Sequence, residues 1–396
     1  MGKTLGVAVI GMGQRGMNCH AKNFVAYSGG AVRIVGICDS NPKNLAEGRQ
    51  RYPEAHATGD YREVIDHPGV DVAVIASPNF LHGEQATFAL DKGKHTFCEK
   101  PMATTYDGCR AILAAARRSG KVLEVGFVMR YSSLFAKIKE LIAAGEIGEP
   151  LLFDWRVHYR GGIHYFRTWH RLKQYSGGLN VEKACHDYDV LNWYFGQLPK
   201  RVVMWSSLNK FIPGKGKGQD CSTCPEPCED NALIARTGYT MSTPDGQTDD
   251  GTTFSGCFYN TPKDIGDHYA GLMEYESGLR GTVQLCFYPS SPYGRQFQII
   301  GSKGEIVGNA HDYVIELYRR AKKSTPVRFD LKSESKGGHY GGDQRQVTEF
   351  LQAIRENRES LATGADGLRA VAVGLAMEKS IVEDRPVSIA EIMNPE

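Results

Sequence analysis

The sequence predicts an α/β protein whose first part is a doubly wound parallel sheet, and three observations carry that prediction. Short β-rich runs alternate with helical stretches over residues 1–127, the pattern of strands joined by helical crossovers. Two of those runs, the one opening Val72–His82 and the one opening Phe97–Pro101, break sharply at their carboxyl ends, as buried parallel strands do when they feed a loop. A glycine-rich turn, Gly11-Met12-Gly13-Gln14-Arg15-Gly16, stands between the first strand and the first helix.

The elements follow in order. Leu5–Ile10 reads as a strand, Gly16–Tyr27 as a helix and Val32–Cys38 as a second strand. Asn44–Tyr52, Tyr61–Asp66 and Gly83–Lys92 read as helices between later strands, and Thr105–Ser119 precedes the strand Val122–Val125. After Phe127 the character changes, which divides the chain into a domain over 1–127 and another over 128–396. The second holds a helix at Ser133–Ala144 and a hairpin of Tyr269–Glu276 with Leu279–Phe287 around Ser277-Gly278. Gln296–Ile300 and Glu305–Gly308 extend that sheet, and helices at Asp343–Arg358 and Gly367–Val382 close the chain. Residues 211–261 form a long irregular insertion containing cysteines.

Composition narrows the function classes. The 396 residues are 41% hydrophobic and 23% charged, with a net charge of +2 and no segregation of sign, so neither a nucleic-acid nor a membrane footprint is expected. No apolar run approaches the ~18 residues of a membrane span. Most of the ten cysteines are scattered singly, as in a cytoplasmic chain with reduced thiols.

The glycine turn is a nucleotide signature in its proper setting. Gly11 permits the tight turn, Gly13 lets backbone approach a pyrophosphate and Gly16 allows helix and strand to pack closely. Asp39 closes the next strand, where a carboxylate accepts hydrogen bonds from the adenosine ribose and repels a 2′-phosphate. No arginine adjoins it, so NAD is expected over NADP; the plainer reading makes Asp39 a turn former ahead of Asn41-Pro42.

Taken together, Gly11–Gly16, Ser77-Pro78-Asn79-Phe80-Leu81-His82, Glu99-Lys100-Pro101 and Gly126–Tyr131 resemble, in order and spacing, the Gfo/Idh/MocA oxidoreductases. The likeness continues through Gly145–Pro150, Gly177–Asp189 and Asp366–Glu391. It implies an N-terminal Rossmann domain and a C-terminal α/β domain with a large, mostly antiparallel open sheet that serves as the interface of a homodimer or homotetramer. It also implies that Lys100 is catalytic and that His186 is the histidine of a carboxylate-x-x-x-histidine motif. The carboxylate here is Glu182 where aspartate is usual, and Lys183 follows it. Arg130 matches a position near substrate, and Pro78, Asn79 and His82 match the loop flanking the nicotinamide, beside Ser77.

The chemistry suits these residue types. Oxidising a secondary alcohol removes a hydroxyl proton while hydride leaves the same carbon, and histidine accepts protons near neutral pH. A lysine ammonium beside the oxygen stabilises developing alkoxide charge. His186 is therefore read as general base, Lys100 as its electrostatic partner and Glu182 as an orienting group, the spacing of four placing Glu182 and His186 on one helix face. Glu99 is expected to accept backbone hydrogen bonds beneath the nicotinamide. The plainer readings are a solvated Lys100, a core His186 and a surface ion pair of Glu182 with Lys183. Asp189, Tyr159, His164, Trp169 and Arg171 complete the candidate substrate-binding set, aromatic faces and hydroxyl partners being what sugars need. Cys221, Cys224, Cys228 and the distant Cys257 have the chemistry of a structural zinc site, against the plainer reading of free thiols in a loop.

The reading reached is an NAD-dependent oxidoreductase acting on a sugar, sugar derivative or cyclitol. The alternatives are an enzyme that oxidises a glycoside transiently to cleave it, without net NADH, and a nucleotide-sensing binding protein, against which Lys100 and His186 argue.

Overall fold

The computed structural model describes residues 4–159, 162–216, 224–225, 257, 259–290, 294–320 and 325–394. They form two compact units, one of residues 1–140, 181–196 and 331–375 and another of residues 141–180, 197–330 and 376–396.

The first unit contains six strands, β1 (Leu5–Ile10), β2 (Val32–Cys38), β3 (His56–Thr58), β4 (Val72–Ile75), β5 (His95–Cys98) and β6 (Leu123–Val125). They lie in the order β3-β2-β1-β4-β5-β6 and every pair is parallel. All four residues of β4 are buried, which is why its sequence is an unbroken apolar run. The order reverses direction between β1 and β4, so their carboxyl ends open the crevice where ligands bind in such sheets.

The helices begin where their caps allow. The helix predicted at Asn44–Tyr52 starts earlier, at Pro42, because Asn41 Oδ1 accepts from the Lys43 amide at 2.9 Å and proline suits the first helical position. That predicted at Gly83–Lys92 starts at Asn79, directly after Pro78. Thr105 caps Tyr106–Ser119 by accepting from the Gly108 amide at 3.1 Å. The predicted helix Gly16–Tyr27 is wound in two ways, as a π-helix over Gly16–Ala21 and an α-helix over Lys22–Tyr27.

The core of this unit draws on the far end of the sequence. Phe24, Phe97 and Phe350 meet edge to face at 5.8–6.1 Å between ring centroids. Phe350 comes from the helix Gly342–Glu356, whose Val347 and Leu351 join the same cluster as Val7, Val9 and Val74.

The second unit holds β7 (Pro150–His158), β8 (Arg201–Ser207), β9 (His268–Glu274), β10 (Arg280–Cys286), β11 (Gly294–Gly301), β12 (Gly304–Asn309), β13 (Val314–Arg319), β14 (Val327–Asp330) and β15 (Val387–Ser388). Their order is β14-β13-β12-β11-β7-β10-β9-β8-β15. The sheet is mostly antiparallel, with β7 and β10 parallel, and β9–β10 is the predicted hairpin. One face is buried: Trp155 stacks on Phe297 at 5.1 Å, and Phe153 meets Tyr275 edge to face. The other carries Leu152, Leu272 and Trp205, each about half exposed.

Candidate active site

The loops after β1, β2, β4 and β5 carry the predicted cofactor residues. Gly11 has φ +89°, and a Cβ there would lie 2.6 Å from the Ala76 carbonyl oxygen, so only glycine fits. A Cβ on Gly16 would meet the Gly11 carbonyl, whereas Gly13 faces open space, leaving its backbone open to a ligand. Asp39 stands at the end of β2 and reaches back to this turn, its carboxylate accepting from the Met12 amide at 2.7 Å, the Asn41 amide at 2.8 Å and Asn44 Nδ2 at 3.2 Å. Asp39 is thus an organiser of the glycine turn. These residues fit a dinucleotide.

Glu99 lies beneath this floor, 5% exposed. Its Oε1 accepts from Arg15 Nε at 2.8 Å and Nη2 at 2.5 Å and pairs with His20 Nε2 at 2.6 Å. Its Oε2 accepts from the Lys100 amide at 2.9 Å, as expected of a backbone acceptor. Burial pushes the carboxyl up, but Arg15, His20 and Lys100 outweigh it and hold Glu99 well below the usual carboxylate range. His82 ties two loops together, its ring nitrogens 2.8 Å from the carbonyl oxygens of Ser77 and Pro101. Ser77 Oγ is 2.5 Å from Gln85 Oε1.

Lys100 is the centre of the cluster. Its Nζ donates to the Glu182 carboxylate and to the Glu182 carbonyl, both at 2.9 Å, while Asn79 Nδ2 donates to the other carboxylate oxygen. Burial lowers the lysine, but the Glu182 charge prevails and its pKa stands above the ordinary value. The plainer reading of Lys100 as a solvated strand-end lysine does not hold.

One expectation is corrected. Glu182 and His186 do not share a continuous helix: Leu179–Glu182 ends at a turn of Lys183 and Ala184, and a new helix runs Cys185–Phe195. The Glu182 carbonyl serves Lys100 Nζ and the Cys185 thiol, and the helical ladder restarts with the Tyr188 amide on the Ala184 carbonyl. Glu182 consequently orients Lys100. Lys183 is half-buried in the turn. His186 stands in the first turn of the new helix, 6% exposed, edge to face with Phe127 at 6.1 Å.

Arg130 grips that same helix. Its Nε and Nη2 donate to the two oxygens of Asp189 at 2.9 and 2.7 Å, and its Nη1 donates to the Leu361 carbonyl at 2.9 Å and Asp366 at 3.2 Å. With Arg130 5% and Asp189 1% exposed, the pair braces the helix that carries His186.

The remaining aromatic candidates lie in the second unit. Trp169 stacks on His170 at 3.6 Å, His164 lies tilted against Tyr165 at 4.1 Å, and Tyr159 meets Tyr165 at 6.0 Å. Arg171 is buried, donating to the Pro262 and Thr168 carbonyls. Of the cysteine set, Cys221 and Cys228 lie outside the described residues. Among the described residues no group of three or more His, Cys, Asp or Glu is placed to hold a metal ion, and no helix is long and apolar enough to cross a membrane.

Sequence reasoning missed His20, His339 and Asp343. His339 sits 6.5 Å from His186 between ring centroids, in the glycine-rich run Gly337–Gly342 just before a helix. A histidine amid four glycines was the available signal.

Fold and site together define an NAD-binding oxidoreductase. Residues 5–127 match the description "Oxidoreductase family, NAD-binding Rossmann fold", and residues 139–389 match "Oxidoreductase family, C-terminal alpha/beta domain". The chain belongs to the Gfo/Idh/MocA oxidoreductase family. It is similar to the putative oxidoreductase YteT of Bacillus subtilis strain 168, at 28% identity over 98% of each chain. It is also similar to scyllo-inositol 2-dehydrogenase (NAD(+)) of the same organism, at 25% identity over 96% of this chain and 95% of that one. A structure of levoglucosan dehydrogenase in complex with NADH and levoglucosan shares the fold, with a TM-score of 0.78, 22% identity and coverage of 97% of this chain and 99% of that one.

Proposed function

We propose that this enzyme moves hydride between a secondary hydroxyl of a sugar, sugar derivative or cyclitol and NAD. The observation that carries the reading is the Lys100–Glu182–Asn79 cluster just beyond the carboxyl ends of β4 and β5, with His186 four residues past Glu182. The bound cofactor supplies the hydride acceptor. His186 takes the hydroxyl proton, and the Lys100 ammonium, kept charged by Glu182, stabilises the oxygen as it gains negative charge. Asn79 fixes the second oxygen of Glu182 and so the direction in which Lys100 points. Glu99 holds Arg15 and the Lys100 backbone in place beneath the cofactor turn. The relatives named for inositol and levoglucosan support a polyhydroxylated substrate.

The test is the absorbance of NADH while the purified chain, with NAD added, meets a panel of sugars, inositols and glycosides. A steady rise with one substrate, abolished by Lys100→Ala, is expected. A flat trace while a glycoside is consumed would replace this reading with transient oxidation and cleavage. The exposed apolar residues Leu152, Leu272 and Trp205 on one face of the second sheet support a homo-oligomer, a dimer or tetramer, joined there. Light scattering on the wild type and on Leu272→Glu checks it.

A further inference from the structure

Alcohol oxidation frees one proton for each hydride removed, and the base that takes it must release it before the next cycle. His186, 6% exposed, is poorly placed to do so directly. A second imidazole lies beside it: the His339 ring is 6.5 Å away between centroids, its plane tilted by 39°. The His339 side chain is 42% exposed, so this second ring meets solvent.

His339 is held for such a task. Its Nδ1 lies 3.1 Å from both oxygens of Asp343, an arrangement that directs the Nδ1 proton to the carboxylate and leaves Nε2 as the exchanging atom. Burial raises the Asp343 carboxyl, but His339 with Arg15 and His20 brings it below its ordinary value, so it is an anion at neutral pH. Arg15 Nη1 at 3.7 Å and the Cys19 thiol at 3.6 Å also face Asp343 Oδ1, and Phe127 packs on His186. The backbone is costly here: His339 (φ +48°) and Tyr340 (φ +59°) both take left-handed conformations between Gly337 and Gly341.

We propose that His339, oriented by Asp343, is a positioning residue that carries the proton between His186 and solvent. The proposal rests on the role given to His186 under the proposed function. The step is balanced: protonated His186 passes one proton through a hydrogen-bonded water to His339 Nε2, the imidazolium is paired with Asp343, and the same nitrogen releases the proton to bulk water. Both rings return neutral.

The test uses the full chain with NAD bound and isotope-labelled histidine, assigned with His186→Asn. The quantity read by NMR is the exchange rate of the His186 ring proton with water, across pH, in wild type and His339→Gln. Slowing by about tenfold, restored by free imidazole, is expected. Asp343→Asn, which keeps the ring, should show a smaller slowing and carries the comparison should His339→Gln melt early. An unchanged rate overturns the relay, and so does a slowed rate that imidazole does not restore in a chain with normal melting and NADH binding. This measurement needs no substrate, so a wild-type chain that oxidises nothing in the panel defeats the proposed function while the relay is still decided. With a substrate in hand, His339→Gln should lower kcat and leave KM unchanged.

Discussion

Lys100 Nζ makes two hydrogen bonds to one residue, taking the carboxylate and the backbone carbonyl of Glu182 at 2.9 Å each. The contact fixes both the charge and the direction of the lysine. In Glu182→Gln the largest opposing charge is gone and Glu99 alone is left against burial, so the lysine pKa falls. The alkaline limb of kcat/KM should move to lower pH, and kcat/KM should fall by ~10²-fold. A pH–rate profile of the variant against wild type checks both.

Asp39 organises the turn after β1, accepting from the Met12 amide at 2.7 Å, and under the proposed function its carboxylate meets the adenosine ribose. Asp39→Ala should weaken NAD binding by about tenfold, about 1.4 kcal/mol. NADP binding should fall less or improve, because the repulsion is gone. Fluorescence titration with both reduced cofactors reads the ratio, and an unchanged ratio would remove Asp39 from cofactor selection.

Glu124, on β6, is fully buried, and burial together with the Glu349 charge pushes its carboxyl well above the usual range. In the unfolded chain it ionises near pH ~4.3. The folded state binds the extra proton, so its contribution is complete below that value and is lost as pH rises towards the folded pKa. Glu124→Gln should therefore stabilise the chain by about 1 kcal/mol or more at mildly alkaline pH and make little difference in acid. Urea melts at the two pH values decide it.

Phe350 lies in the aromatic trio with Phe24 and Phe97. Phe350→Ala should cost about 3–5 kcal/mol through lost burial and the cavity left behind. Because Phe24 follows the cofactor turn by one helix, NAD affinity should weaken along with the melting temperature. Calorimetry with and without NAD separates the two effects.

The parallel sheet was legible because β1 and β4, and β2 from Ile34 onward, are buried on both faces and leave runs without a charge. Gly11 was legible because backbone geometry admits only glycine there, and Asp39 because it closes β2 at a fixed distance from that turn. The broken helix was not: Leu179–Phe195 has helical spacing throughout, and at the break the Glu182 carbonyl accepts from Lys100, distant in sequence. His339 and Asp343 were missed for a related reason. Their partners are brought together only by the fold, and local periodicity carries no mark of them. The engagement of Arg130 with Asp189 likewise depends on a contact across sequence that no spacing announces.

The aromatic trio also bears on how the chain is made. A ribosome delivers the nucleotide-binding strands first, and Val347, Phe350 and Leu351 follow long after them. Until then the nascent chain carries Phe24 and Phe97 without the ring that covers them, an exposed apolar patch in a half-assembled unit. Nucleotide binding would therefore wait for a segment made long after the strands that hold the cofactor.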